Sequence, residues 1–262
     1  MLYGRMLHKQ FCIGEDVAEM LDRTLGLLDH RPLSSNMWSP VTTIPCYVGC
    51  MQRLEFYFDP SCPFCWITSR WLLQVAAERD LDIALRPFSF AEKNDEIAND
   101  GSDRTSHGDL HRPVHRVHRV IAAAAKHGAA VIDLYSAFGR PYHVDGREYD
   151  DALIAQVLAA EGLPTGLAQA ADETSWDAYL RDETNSAVAA VGEDTGVPII
   201  VFKLENGEKK GFYGPVLNNM PNREDGLALW DGLRTLAPVS AFFELKRTRP
   251  NGLPDTSGTE GI

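Results

Sequence analysis

Residues 56–66 read FYFDPSCPFCW, and this stretch predicts both the fold of the chain and its chemistry. The aromatic run at its start is typical of a buried strand. A turn that contains Pro60 follows, and Cys-Pro-Phe-Cys over residues 62–65 then opens a helix. Pro63 suits the first turn of a helix, because the N–H group that proline lacks has no partner there. The stretch therefore predicts a strand, a turn and a helix that begins at a pair of cysteines.

The two cysteines are predicted to form a redox pair. A thiol at a helix N-terminus lies near unpaired backbone N–H groups, which stabilise its thiolate form. Cys65 lies about one helical turn after Cys62 and can close a disulfide with it. The helix is amphipathic, since apolar residues recur at Ile67, Trp71 and Val75. We therefore assign Cys62 as the exposed nucleophile and Cys65 as the buried resolving thiol.

A zinc half-site and a pair of inert thiols are the two alternative interpretations of this Cys-x-x-Cys pattern. A zinc site needs four ligands, and the chain has no second Cys-x-x-Cys pattern. The remaining cysteines, Cys12, Cys46 and Cys50, all lie upstream of the first predicted strand. A strand, a turn, two thiols and an amphipathic helix in this order favour a thioredoxin-like redox motif.

The composition of the 262 residues restricts the kind of partner and compartment. A net charge of −12 argues against nucleic acid, since phosphate binding needs clustered Lys and Arg. No run of 18 apolar residues occurs, so no membrane span is predicted. Acidic residues between positions 15 and 19 interrupt the pattern of a secretory signal. We therefore expect a cytoplasmic protein, in a compartment where a pair of thiols is usually catalytic.

The predicted architecture is an α/β, thioredoxin-like fold with a large all-helical insertion between strands two and three. Residues 1–50 are expected to form a poorly ordered extension, because they include a loop-like stretch rich in Pro and Ser. Residues 51–91 and 195–249 are assigned to the thioredoxin-like domain. The helical patterns over residues 92–194 are too long for a simple crossover and predict an inserted lid subdomain. Residues 250–262 are expected to be a disordered tail.

Pro198 directly precedes a predicted buried strand, where proline is unusual because it cannot donate to the ladder. A cis peptide bond between Val197 and Pro198 would explain this position and would leave the Val197 backbone open for an incoming strand or thiol. This bond is predicted to face the Cys62 sulfur. A trans proline at the first position of the strand is the commoner case, but the two cysteines favour the cis form.

Two groups of polar residues have alternative interpretations. Four histidines occur at helical spacing, where a metal could bind, but no carboxylate or cysteine completes a site, and a solvated basic face is favoured. They are His107, His111, His115 and His118. Asp59 precedes Cys62 by three residues and is assigned either as a proton shuttle for the thiols or as the cap of their helix.

Several segments of the chain resemble a known group of proteins. Residues 58–66, with Val197 and Pro198, resemble the DsbA-like branch of the thioredoxin superfamily. The resemblance covers about residues 53–249. Three later segments make it more specific, because they are similar to the mycothiol-dependent nitroreductase family. They are AVGED at 190–194, GPV at 214–216 and FFELKRTR at 242–249.

The resemblance implies a thiol–disulfide oxidoreductase in which Cys62 attacks and Cys65 resolves. It implies reduced mycothiol as co-substrate, no tightly bound cofactor, and disulfides or nitroaromatic compounds as acceptors. The oligomeric state stays open. The residues expected to bind substrate, besides the thiols, are Pro63, Phe64, Trp66, Val197 and Pro198.

Phe64 departs from the family pattern, in which the residue between Pro63 and Cys65 is usually Trp. Phe64 supplies neither a charge nor a hydrogen-bond donor to the thiolate. We therefore predict a reductase, with a potential nearer thioredoxin (about −270 mV) than the oxidant DsbA (about −120 mV).

Two other functions compete with this one. A glutathione-dependent transferase or isomerase of the kappa type shares the architecture but carries Ser at the nucleophile position, whereas both thiols are present here. A chaperone-like module without catalysis would use the helical lid to bind unfolded clients.

Overall fold

The computed structural model describes residues 52–94 and 108–262. The predicted extension over residues 1–50 and His107 lie outside these ranges. Within them, no helix is long and apolar enough to cross a membrane. The elements in chain order are β1 (Gln52–Phe58), α1 (Pro63–Ala76), β2 (Leu81–Pro87), α2 (Phe90–Lys93), α3 (Gly108–Lys126), α4 (Val131–His143), α5 (Asp151–Ala160), two 3₁₀ helices (Thr165–Asp172 and Thr174–Trp176), α6 (Asp177–Val191), β3 (Ile199–Lys203), β4 (Lys209–Tyr213), α7 (Arg223–Leu236) and a last 3₁₀ helix (Ser257–Thr259).

The four strands form one mixed sheet in the order β2-β1-β3-β4. β1 and β2 are parallel, with Phe56 opposite Leu85. β3 is antiparallel to both of its neighbours, and Ile200 lies opposite Phe56 of β1 and Phe212 of β4. Helix α1 joins the parallel pair, and α7 follows the hairpin of β3 and β4. The predicted thioredoxin-like fold is therefore confirmed, with α2 to α6 inserted between β2 and β3.

Aromatic and branched side chains of the central strands and of α1 form the core beneath the thiols. Phe56 and Phe58 of β1 are fully buried, as is β3 over residues 199–202. Such runs are typical of strands that are covered on both faces. The predicted apolar stripe of α1 is also buried, and Trp71 Nε1 donates to the Gly226 carbonyl at 3.0 Å. This packing fixes α1 and therefore the position of its first turn.

Helix α4 was not predicted individually, because it contains Gly139 and Pro141, two residues that usually interrupt helices. Gly139 is required here by a close approach to α1. A Cβ atom at this position would lie 2.4 Å from Cζ3 of Trp66. A residue that weakens the helix locally thus allows two helices to meet beside the thiols.

The predicted solvated basic face on α3 is wrong for His115 and His118. Both side chains are buried, on the side of the helix that also buries Val114 and Val117. His115 bonds Ser89 Oγ and Asp177 Oδ1, each at 2.9 Å. The periodicity of the neighbouring valines was the available signal, and the charge of the surrounding arginines obscured it.

The predicted disordered tail over residues 250–262 is also wrong. Thr259 is buried, and its Oγ1 accepts a 2.8 Å hydrogen bond from Trp66 Nε1. Thr256 Oγ1 donates to the His143 carbonyl at 2.9 Å, and Arg140 donates to the Glu260 carbonyl. A polar composition suggested disorder, but these polar groups have partners on α1 and α4.

Candidate active site

The two thiols lie at the start of α1, directly after the turn that ends β1. Cys62 is the N-cap residue of the helix and Pro63 its first residue, as predicted. The Cys62 N–H donates to the Asp59 carbonyl at 3.0 Å, and the Trp66 N–H donates to the Cys62 carbonyl at 3.1 Å. Backbone geometry thus places the first thiol at the helix N-terminus. Both thiols are free.

The environments of the two thiols differ. Both side chains are buried, so the prediction of an exposed Cys62 is wrong, but Cys62 keeps 8% exposure whereas Cys65 has none. Burial raises the pKa of the Cys65 thiol well above its ordinary value, and the adjacent Cys62 sulfur raises it further. Cys62 Sγ donates to the Val197 carbonyl at 3.6 Å. The Val197–Pro198 bond is cis, which confirms the predicted isomer and its position beside Cys62.

Asp59 lies buried beneath the thiols and connects three segments of the chain. Its Oδ1 accepts hydrogen bonds from the N–H and hydroxyl of Ser61, at 2.9 and 2.6 Å. Its Oδ2 accepts the Phe90 N–H at 3.1 Å and lies 3.5 Å from His118 Nε2, an ion-pair distance. Burial opposes ionisation of Asp59, but its interactions with His118 and Ser61 outweigh burial and lower its pKa. Asp59 does not cap α1, since Cys62 is the N-cap residue and the Asp59 carboxylate accepts from Ser61 and Phe90.

The loop before Cys62 is held by residues of the helical insertion. The Pro60 carbonyl accepts hydrogen bonds from His143 Nε2 at 2.8 Å and from the Tyr149 hydroxyl at 2.9 Å. Burial lowers the pKa of His143 to about 4, so its ring is neutral at pH 7. The insertion therefore positions the nucleophile through two neutral donors.

The residues predicted to bind substrate differ in how far their side chains are exposed. Pro63 and Phe64 are half-buried at the start of α1, and Val197 and Pro198 flank Cys62 but are buried. The prediction that Trp66 binds substrate is wrong, because its side chain is 1% exposed and faces the interior. Its ring stacks on His143, with 5.5 Å between centroids, and its Nε1 donates to the tail. It is therefore a packing residue and is not available to a substrate.

Arg249 and Tyr213 lie beside the motif, and no local pattern marked either as a site residue. The Arg249 Cζ atom lies 4.8 Å from the centroid of the Phe64 ring. Tyr213, which ends β4, is 50% exposed. Burial raises the pKa of the Tyr213 phenol, the charge of Arg249 lowers it, and charges on Cys62 and Cys65 raise it. A cation and two aromatic rings thus lie close to the thiols.

A second polar cluster lies between α2, α3 and α6. Glu92, His115 and Asp177 offer ligand atoms within 4.8 Å of one another, so carboxylates do approach the α3 histidines, contrary to the prediction. Arg119 Nε and Nη2 bind the two oxygens of Asp177 at 2.6 and 2.8 Å, and Arg181 Nε binds Glu92 at 2.9 Å. These arginines already compensate the carboxylates, so the cluster is a buried ion-pair network.

Comparisons with known proteins add an independent line of evidence. A family model described as the mycothiol-dependent nitroreductase Rv2466c matches residues 61–247. The uncharacterized protein Rv2286c of Mycobacterium tuberculosis is 29% identical over 210 residues, which cover 76% of this chain and 83% of that protein.

Several solved structures match the chain at low sequence identity. The cytosolic disulfide reductase DsbM from Pseudomonas aeruginosa is 17% identical, covers 71% of this chain and 100% of its own, and has a TM-score of 0.48. A probable DsbA oxidoreductase from Streptomyces coelicolor is also 17% identical, covers 77% of this chain and 97% of its own, and has a TM-score of 0.47.

Proposed function

The chain belongs to the family of the mycothiol-dependent nitroreductase Rv2466c, and from this premise we propose that it is a thiol–disulfide reductase that mycothiol keeps reduced. The observation that carries the proposal is the pair of free thiols at the start of α1, both buried, of which Cys62 keeps 8% exposure and Cys65 none. We place the enzyme in the cytoplasm, where small thiols hold such a pair reduced.

In the first half of the reaction, Cys62 reduces the substrate. Its thiolate attacks one sulfur of the substrate disulfide, the S–S bond breaks, and one substrate thiolate leaves. Cys65 then attacks the Cys62 sulfur, gives up its proton and releases the second substrate thiol. The enzyme now carries a Cys62–Cys65 disulfide and has transferred two electrons.

In the second half, two mycothiol molecules restore the thiols. The first attacks the Cys62 sulfur and forms a mixed disulfide, and the second attacks the mycothiol sulfur and leaves as mycothiol disulfide. One substrate disulfide and two mycothiols thus yield two substrate thiols and one mycothiol disulfide. With a nitroaromatic acceptor, the same two electrons and the two thiol protons convert the nitro group to a nitroso group and water.

We assign Asp59 as the group that accepts the proton of Cys65. The carboxylate is buried, and its charge raises the pKa of Cys65. Its own lowered pKa keeps it ionised at neutral pH, so it is free to accept a proton but is a weak base. In our proposal it receives the Cys65 proton when Cys65 attacks. Pro63, Phe64 and the backbone at Val197 and Pro198 form the surface that contacts the substrate.

A coupled assay tests the function. Purified enzyme is incubated with mycothiol and an aromatic disulfide or nitroaromatic acceptor, and product formation is compared with the same assay in glutathione. We expect faster turnover with mycothiol and complete loss in Cys62→Ser, whereas Cys50→Ser, outside the pair, keeps the wild-type rate. Turnover in Cys62→Ser contradicts the mechanism, and equal or faster turnover with glutathione contradicts the mycothiol assignment.

A further inference from the structure

We propose that Arg249 is an anion-binding residue of the substrate site and that the enzyme prefers acceptors with a carboxylate, or a similar anionic group, close to the reacting sulfur. The inference rests on the proposed function, because it assigns a substrate class to the same pair of thiols.

The position of Arg249 is the first argument. Phe64 lies between Pro63 and Cys65 in the motif, and the guanidinium carbon lies 4.8 Å from its ring centroid. Arg249 itself is exposed. Because Phe64 follows Cys62 by two residues, we place a ligand of Cys62 beside this ring and within reach of the cation.

The lack of a carboxylate partner for Arg249 is the second argument. In the part of the chain that the structure describes, no carboxylate pairs with its guanidinium, although other arginines of the protein are paired. Examples are Arg79 with Asp231, Arg116 with Asp172 and Arg119 with Asp177. The chain carries 37 acidic residues against 25 basic ones, yet none of the described carboxylates compensates this exposed cation beside the motif.

The chemistry of the guanidinium group is the third argument. Its planar array of donors matches the two oxygens of a carboxylate. Its contact with the Phe64 ring is a cation–π interaction, which restricts the side chain before a ligand arrives and reduces the entropy that binding would otherwise cost. An anionic aromatic acceptor can therefore place its ring against Phe64 and its charge against Arg249 while its sulfur faces Cys62.

The experiment compares two aromatic disulfides that differ in charge. The full chain is reduced and freed of reductant, and its second-order rate constants are measured by stopped flow with dithiobis(nitrobenzoate), a dianion, and with dithiodipyridine, which is neutral. The variants are Arg249→Ala and Arg249→Lys. Arg53→Ala is the matched control, because Arg53 is an exposed cation near the opposite end of β1, paired with Asp82.

We expect Arg249→Ala to lower the rate constant for the anionic disulfide by up to about 5-fold, as an exposed charge pair of about 1 kcal/mol would. The rate constant for the neutral disulfide should change less than about 2-fold. Arg249→Lys should recover part of the loss, and the difference from wild type should shrink in high salt. Arg53→Ala should leave the ratio of the two rate constants at the wild-type value.

An unchanged ratio in Arg249→Ala, or an equal loss with both disulfides, overturns the inference. Because these reactions use the thiols directly, they need no mycothiol. Failure of the proposed function appears instead as absence of turnover in the coupled assay, so the two failures can be told apart.

Discussion

Asp59 connects the thiols to the helices that surround them. Its two oxygens bind the turn before Cys62, the start of α2 and His118 of α3. A buried carboxylate without partners would be neutral, but these interactions lower its pKa instead. The charge next to Cys65 is thus maintained by contacts from parts of the chain that are distant in sequence.

We expect Asp59→Asn to lower the free energy of unfolding at pH 7 by about 1–3 kcal/mol. The single oxygen of an amide cannot accept from the Ser61 N–H, the Ser61 hydroxyl and the Phe90 N–H together, so one buried donor loses its partner. Asp150→Asn is the matched control, since Asp150 caps α5 and Asn caps a helix as well as Asp. Urea unfolding of both variants gives the comparison. Equal stability of Asp59→Asn and wild type contradicts this account of the carboxylate.

The stability difference between wild type and Asp59→Asn should depend on pH. A carboxyl whose folded pKa lies below its unfolded value, about 3.9 for Asp, stabilises the protein above that value and loses this contribution as the pH falls through the folded pKa. The difference between wild type and Asp59→Asn should therefore be largest near neutral pH and shrink below about pH 4. A difference that grows in acid would show that the carboxylate is not the ionised form in the folded protein.

Local sequence was sufficient to find the thiols but insufficient to find their partners. Cys62, Cys65 and the cis Val197–Pro198 bond follow from short patterns of strand, turn and helix. The pairing of Asp59 with His118 and the approach of Arg249 to Phe64 depend on tertiary contacts between distant segments. The composition around His118 indicated a solvated face instead.

At the level of elements, the contact between α1 and α4 is controlled by the absence of a side chain. Gly139 lies against Trp66, and the same helix supplies His143, which binds the loop before Cys62. Close packing leaves no room for an added methyl group, and overpacked interiors usually lose stability. The helix that positions the nucleophile is therefore sensitive at this residue.

We expect Gly139→Ala to destabilise the protein by about 1–3 kcal/mol, because the new Cβ atom would overlap the Trp66 ring. Gly232→Ala is the matched control, since Gly232 lies inside α7 with no atom within 4 Å of the added Cβ. That control should be neutral or more stable by about 0.4–1 kcal/mol. Thermal or urea unfolding measures both, and a Gly139→Ala protein as stable as the control would contradict the packing.

For the whole molecule, the C-terminal residues complete the structure around the thiols. Thr259 receives a hydrogen bond from Trp66, and Thr256 donates to His143, so the last residues bind two helices of the active-site region. The strand–helix start of the fold and the helical insertion were predictable because hydrophobic periodicity encodes them. The order of the tail was not, because its few partners are polar and distant in sequence.

We expect Thr259→Val to lower the free energy of unfolding by about 1–3 kcal/mol, because it leaves the buried Trp66 N–H without an acceptor. Thr259→Ser keeps the hydroxyl and should lose less. Urea unfolding of the two variants distinguishes the hydrogen bond from packing of the methyl group. Equal losses in both variants would assign the effect to packing.

The mixed disulfide of the first chemical step tests the central claim most directly. Cys65→Ser, Cys62→Ser and wild type are each treated with mycothiol disulfide and analysed by intact mass and peptide mapping. We predict one stable mycothiol adduct on Cys62 in Cys65→Ser, because the resolving thiol is gone, no comparable adduct in Cys62→Ser, and an internal disulfide in wild type. A mycothiol adduct that forms as fast on Cys65 in Cys62→Ser, or one that persists in wild type, would contradict Cys62 as nucleophile and Cys65 as resolving thiol.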